Sequence, residues 1–172
     1  MMSTELNGLN QLNAADTKQK LFACCGSKLW ASEMSARRPF PDEEALLTTA
    51  DVIWWGLEQS DWLEAFGQHP RIGDLESLQK KYPGSDNPAA KEQAGVDSAS
   101  REVLDELAEA NQTYEDRFGY IFIVCATNKT AGEMLERLKS RLGNDPAREL
   151  KIAAEEQRQI TRLRLQKLLE AR

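Results

Sequence analysis

Three polar residues, His69, Glu92 and Arg164, are candidates for catalysis and substrate binding because of their residue types and their neighbours in the sequence. His69 is the only histidine in the chain and lies in the stretch FGQHPRIGD, at the end of a helical pattern. With an ordinary pKa of about 6.5, an imidazole is the natural proton donor or acceptor at neutral pH. The alternative is an ordinary histidine in a surface loop, because so short a stretch carries little weight alone.

Glu92 lies in the stretch AAKEQAG, on a helix that Asn87 and Pro88 are predicted to open. It shares a helix face with Pro88 and Ala89, which are both small, so its carboxylate can approach another segment of the chain. A carboxylate that is hydrogen-bonded to an imidazole orients the ring and favours its protonated form. The alternative is a solvated helix glutamate, since most glutamates are exposed.

Arg164 lies in the stretch TRLRLQKLL, with Ile160 four residues before it and Leu168 four residues after it. Helix geometry puts these three residues on one stripe, which is predicted to face the core. A guanidinium there requires a carboxylate or an anionic or carbonyl-rich ligand, because burying it without a partner is costly. The alternatives are a structural salt bridge and a side chain that reaches along the stripe to water. Arg162 is predicted to point elsewhere, into solvent.

Helical patterns account for most of the chain. Polar residues that commonly cap helices precede them, namely Asp16, Asp42, Asn87, Thr130 and Asp145. The one run that looks strand-like is YIFIVCA, residues 120–126, and it has no partner strand. It is therefore either a buried extended segment or the start of a helix. Together these patterns predict an all-α fold.

The length of the chain, 172 residues, is that of one ordinary domain. We predict a single-domain bundle of about seven to nine helices over residues 16–172. Residues 1–15 are polar and rich in asparagine, so we expect a flexible arm there. The four tryptophans are assigned to the core rather than to a cofactor site.

The composition excludes several classes of function. A net charge of −6 argues against non-specific nucleic-acid binding, which needs a basic face. The longest apolar run is too short to span a bilayer. Cys24, Cys25 and Cys125 are interpreted as reduced core residues of a cytoplasmic protein. No metal-ligand spacing or phosphate-binding glycine loop is present, so an enzyme built on this chain is expected to work without a cofactor.

Five segments, in order, resemble one known family. They are CCGSKLWASEMSARRPF, HPRIGD, AAKEQAG, NQTYEDRFGYIFIVCA and RLGNDPARELKIAAEEQRQITRLRLQKLL. The family is that of the 2-oxo-4-hydroxy-4-carboxy-5-ureidoimidazoline (OHCU) decarboxylases of urate breakdown. Each motif is weak alone, but five in the same order, from Phe22 to Leu169, are specific.

The resemblance implies an all-α fold, commonly a homodimer, with no metal or organic cofactor. It also implies a reaction that removes CO2 from OHCU, a small molecule, and yields (S)-allantoin. The family's catalytic histidine and glutamate fall on His69 and Glu92, and its substrate-binding arginine falls on Arg164. The FGYIF segment would bind the substrate through backbone hydrogen bonds around Phe122 and Val124.

The chemistry of decarboxylation agrees with these assignments. The substrate's conjugated ring accepts the electron pair left by CO2, and the protein supplies a proton on one face. Our hypothesis is that His69 transfers the proton, Glu92 orients the imidazole and Arg164 anchors the substrate.

One departure from the family pattern leaves other classes of protein open. Ala89 stands where the family has a serine, so a hydroxyl contact to substrate is lost, and Tyr120 replaces a usual phenylalanine. One rival is a binding or interaction protein of the same fold that has lost turnover. A second is a helical adaptor in which the motifs coincide by chance, which would leave the three polar residues far apart in space.

Overall fold

The computed structural model describes residues 3–69, 94–126 and 129–170, and for residues 94–100 it describes the backbone alone. These ranges contain eight helices and no strand, so the predicted all-α fold is confirmed. The helices are α1 (Thr4–Gln11), α2 (Ala14–Cys24), α3 (Lys28–Ala36), α4 (Glu43–Gly56), α5 (Gln59–Gly67), α6 (Ala94–Phe118), α7 (Ala131–Leu142) and α8 (Pro146–Glu170).

Most helix starts follow from local capping chemistry. The side chains of Asp42 and Thr130 accept hydrogen bonds from backbone N–H groups at the starts of α4 and α7, as predicted. In α2 the N-cap is Asn13 rather than the predicted Asp16, whose backbone N–H donates to Asn13 Oδ1 at 2.8 Å. The predicted helix start at Asn87 lies outside the described residues.

The N-terminal residues differ from the expected arm, because residues 4–11 form α1. Leu6 and Leu9 are buried, and the spacing of three residues gives α1 one apolar face. Asn10 fastens this helix to the chain after α3, since its Nδ2 donates to Phe40 O at 2.9 Å and its Oδ1 accepts from Phe40 N at 2.9 Å. Two leucines and one bidentate amide therefore order a segment that looks uniformly polar.

The chain divides into two compact units, residues 1–68 with 154–172 and residues 69–153. The prediction of a single domain stays a prediction. In the first unit α2 packs against α3, and α3 packs against α4. Trp30 and Trp54 are buried in its core, as predicted. Trp55, by contrast, is 43% exposed.

The second unit is built around α6 and α7, which pack against each other. Gly119 ends α6 with a positive φ of 84°, a conformation that glycine adopts without strain. The chain then runs through residues 120–126, which form neither a helix nor a strand and whose central residues are buried. Of the two alternatives for YIFIVCA, the start of a helix is therefore wrong. The apolar core of the unit comprises Leu104, Leu107, Tyr114, Phe122, Val124, Met134, Leu135 and Leu138.

Candidate active site

His69 follows the C-terminal end of α5, separated from it by Gln68. The last turn of α5 is firmly held, because Ala65 and Phe66 are each only 1% exposed. His69 itself is half-buried and has interactions of its own. Its predicted partner Glu92 lies outside the described residues, so the His69–Glu92 pair stays a prediction.

The residue before His69 is fixed by a close approach of the turn between α2 and α3. A Cβ atom on Gly26 would lie 2.2 Å from Gln68 Cγ and 2.5 Å from Gln68 Cβ, so only a glycine fits there. The carboxylate of Glu64, on α5, also accepts a hydrogen bond from Lys28 N at 2.9 Å, at the start of α3. The two contacts fix where the chain leaves α5, and therefore where the backbone of His69 begins.

Arg164 lies at the edge of the buried face of α8 rather than at its centre. The predicted stripe of Ile160, Arg164 and Leu168 is half-buried, which corrects the expectation that it faces the core. The buried face of α8 is shifted by one sequence position from the predicted stripe. It includes Ala154, Gln157, Thr161, Leu165 and Leu169.

The surroundings of Arg164 include two buried thiols, those of Cys24 and Cys25. Burial raises the pKa of Cys24 to about 11 and that of Cys25 to about 12. The positive charge of Arg164 acts in the opposite direction on both thiols, and so does a hydrogen bond between Cys25 and Thr161. Both thiols are therefore neutral at physiological pH, and neither supplies Arg164 with a counter-charge.

The carboxylates near α8 pair with other arginines. Asp51 lies 3.1 Å from Arg158 and 3.2 Å from Arg162, whose side chain is 41% exposed, so Arg162 is partly solvated, as predicted, and is also ion-paired. For Arg164, no carboxylate partner occurs among residues 3–69, 94–126 and 129–170. The sequence suggested either a carboxylate or a ligand as the partner of Arg164. The described part of the chain does not supply the carboxylate.

Phe122 and Val124 lie on the non-helical segment that follows α6, and each is 8% exposed. Between them, Ile123 O accepts a hydrogen bond from Arg141 Nη1 at 2.8 Å. Within the described ranges no hydrogen bond reaches the backbone of Phe122 or Val124. Because buried backbone groups need partners, those of Phe122 and Val124 are suited to binding a ligand.

A buried polar cluster lies behind this segment and was missed by sequence reasoning. Arg141 donates to Glu149 Oε2 from Nε at 2.8 Å, Tyr114 OH donates to the same oxygen, and Asn144 Nδ2 donates to Glu149 Oε1 at 3.0 Å. Burial and the bond to Glu149 raise the pKa of Tyr114. A usable pattern existed, because Arg141 continues the apolar stripe of α7 that runs through Met134 and Leu138.

The described ranges contain no group of three histidine, cysteine, aspartate or glutamate side chains that could hold a metal ion. They also contain no helix that is long and apolar enough to cross a membrane. His69, Phe122 and Val124 belong to the unit of residues 69–153, and Arg164 belongs to the other unit.

Comparison with known proteins identifies the class to which this chain belongs. The model of the OHCU decarboxylase family matches residues 10–166, so the chain is a member of that family. The resemblance drawn from the five motifs is thereby confirmed.

Three relatives show how the match is distributed. A uric acid degradation bifunctional protein of Arabidopsis thaliana is 41% identical over 145 residues, which are 84% of this chain and 45% of that protein. Another from Bacillus subtilis is 27% identical over 93% of this chain and 32% of the relative. An OHCU decarboxylase of Amia calva is 35% identical over 59% of this chain and 58% of the relative. The chain therefore spans less than half the length of the two bifunctional relatives.

Two solved structures share the fold. A crystal structure of an OHCU decarboxylase in the presence of (S)-allantoin superposes with a TM-score of 0.71 at 39% identity, covering 88% of this chain and 98% of the other. A crystal structure of an (S)-allantoin synthase superposes with a TM-score of 0.69 at 18% identity, covering 98% of this chain and 54% of the other. The second likeness, at that identity, concerns the fold alone.

Proposed function

We propose that this chain catalyses the cofactor-free decarboxylation of OHCU to (S)-allantoin in urate degradation. The observation that carries the proposal is the family match along residues 10–166, a range that includes His69, Glu92 and Arg164. The half-buried guanidinium of Arg164 supports it, since a carboxylate- and carbonyl-rich substrate would supply the acceptors that the described residues do not.

In this proposal the bond between the ring carbon and its carboxylate breaks, CO2 leaves, and the electron pair moves into the conjugated ring. His69 then gives its proton to one face of the ring, which forms the new C–H bond and sets the stereocentre. Glu92 orients the imidazole and stabilises its protonated form before transfer.

Binding is assigned to two other parts of the chain. Arg164 anchors substrate oxygens through its planar donor fork. The backbone groups of Phe122 and Val124 bind the ureido or ring groups.

Three further parts of the proposal concern the whole protein. We infer a homodimer from the resemblance to the family and a cytoplasmic location from the reduced cysteines. All three cysteines are buried, and none forms a disulfide within the described ranges. The only partner proposed besides a second copy of the chain is the small-molecule substrate, and the net charge of −6 continues to disfavour nucleic acid.

The test is the rate at which OHCU disappears and CO2 is released. OHCU is generated in place from urate by urate oxidase and hydroxyisourate hydrolase, and this protein is then added. We expect acceleration over the spontaneous decay, and His69→Ala should lower kcat by about 10²- to 10⁴-fold. A protein that binds allantoin but leaves the decay rate unchanged would instead be a binding protein of the same fold. A His69→Ala protein with full kcat would refute the assigned proton transfer and leave the activity standing.

A further inference from the structure

The segment from Phe122 to Val124 is held in place without the hydrogen bonds of a helix or a sheet. It is buried, yet it belongs to neither a helix nor a strand. Backbone that is held in place beforehand binds a ligand more tightly, since the conformational entropy lost in ordering it on binding would otherwise weaken affinity. Contacts other than the hydrogen bonds of a helix or a sheet must therefore hold this segment in place.

Arg141 contacts this segment in two ways. Its Nη1 donates to Ile123 O at 2.8 Å, and its guanidinium carbon lies 4.5 Å from the centre of the Phe122 ring. Arg141 is only 7% exposed. In this setting, shielded from water, both the charged hydrogen bond and the cation–π contact are strengthened.

Three other side chains fix Arg141 in turn. Glu149, which is fully buried, accepts from Arg141 Nε and Nη2, and it also accepts from Tyr114 and Asn144. Every oxygen of the carboxylate is thus occupied, and the guanidinium can turn in no direction without losing a bond. We call Arg141, Glu149, Tyr114 and Asn144 the anchor cluster.

We propose that Arg141 is a positioning residue for substrate binding: the anchor cluster holds the Ile123 carbonyl so that the backbone groups of Phe122 and Val124 are presented to the substrate. The inference rests on the proposed function, in which these backbone groups bind OHCU. It adds a residue whose role is to place the binding segment and which does not itself contact the reacting atoms.

The proposal predicts a specific kinetic change. Backbone contacts to the ureido or ring groups form with the bound substrate and persist in the transition state. Loss of such contacts raises KM more than it lowers kcat. Arg141→Lys keeps the charge but replaces a fork of several donors with one ammonium, which cannot serve Ile123 O and Glu149 together in the same geometry.

Arg38→Lys is the matched control. Arg38 Nη1 also donates to backbone carbonyls, Leu9 O at 2.9 Å and Leu12 O at 2.7 Å. It makes this kind of contact in the other compact unit, apart from the anchor cluster and the segment. Tyr114→Phe is a milder second variant, because it removes only one donor to Glu149 and leaves Arg141 intact.

Two measurements are made on the full chain, steady-state kinetics with OHCU and hydrogen exchange of the peptide that covers residues 121–126. For Arg141→Lys we expect KM to rise about tenfold, with kcat changed less than about threefold, and faster exchange of that peptide. Tyr114→Phe should raise KM by about threefold. If Arg141→Lys does not fold, this variant alone tests whether the anchor cluster contributes to substrate binding. Arg38→Lys should match the wild type in both measurements.

Other results would overturn the inference. If Arg141→Lys and Tyr114→Phe keep the wild-type KM while the wild type is active, the anchor cluster has no role in binding and the proposed function survives. A fall in kcat that follows the folded fraction, at unchanged KM, would reduce Arg141 to a purely structural residue. A wild-type protein that leaves OHCU decay unchanged would defeat the proposed function, and this inference with it.

Discussion

Arginines on helix faces illustrate what a single residue type does in different surroundings. Arg162 is neutralised by Asp51, Arg141 is neutralised by Glu149, and Arg164 has no carboxylate partner in the described ranges. The apolar stripe around Arg164 indicated in advance that this residue was unusual. The same argument applied to α7 would have found Arg141, whose partner Glu149 could not be foreseen because the two meet only through folding.

The first prediction compares two arginines on α8. Arg164→Lys should raise KM for OHCU about tenfold or more, because an ammonium cannot reproduce the bidentate contacts of a guanidinium. Arg162→Lys, two residues away, should keep the wild-type KM, since its 3.2 Å contact with Asp51 lies on the partly exposed side of the helix. Steady-state kinetics of both variants test this. Equal effects in the two variants would mean that Arg164 does not bind the substrate.

At the scale of helices and connecting segments, the sequence was most informative where local chemistry decides the outcome. Asp42 and Thr130 mark the starts of their helices as predicted, because capping acts within one turn. The helix at residues 4–11 was not predicted, because the burial of Leu6 and Leu9 depends on the rest of the fold. For the same reason, residues 120–126 looked strand-like although an arginine, rather than another strand, holds them.

The second prediction concerns the approach of the α2–α3 turn to the end of α5. Gly26→Ala should lower the free energy of unfolding by about 1–3 kcal/mol, because the new methyl group overlaps Gln68 and the backbone must shift. Gly67→Ala is the control, since a Cβ there meets nothing within 4 Å. It should be neutral or stabilise by up to about 1 kcal/mol.

Urea unfolding followed by circular dichroism measures both variants. If the two midpoints changed equally and in the same direction, the close approach of Gly26 to Gln68 would carry no energetic weight.

At the scale of the whole molecule, family membership could be predicted from the sequence, because five motifs in one order are specific where each alone is weak. The pairing of His69 with Glu92 stays a prediction, since Glu92 lies outside the described residues. Arg164 belongs to one compact unit and His69 to the other.

The third prediction concerns stability at alkaline pH. Burial raises the pKa of Cys24 to about 11 and that of Cys25 to about 12, whereas an unfolded thiol ionises near about 8.5. Because the folded-state pKa is raised, the stabilising contribution is complete below about pH 8.5 and is lost as the pH rises towards 11–12. Between pH 8 and pH 10 each thiol should cost about 1–2 kcal/mol of unfolding free energy.

Urea titrations at pH 8 and pH 10 measure this loss. Cys25→Ala should show a smaller difference between the two pH values than the wild type. The stability that Cys25→Ala loses through its cavity is the same at both pH values, so it does not affect the difference between them. An undiminished difference would mean that Cys25 does not contribute to alkaline unfolding.

The central claim is that this chain decarboxylates OHCU and protonates one face of the product. The most direct measurement is the circular dichroism of the allantoin formed when the wild-type protein is added to freshly generated OHCU. We predict that the optical signal of (S)-allantoin appears faster than the spontaneous decay of OHCU. Racemic allantoin, formed at the spontaneous rate, would contradict the claim.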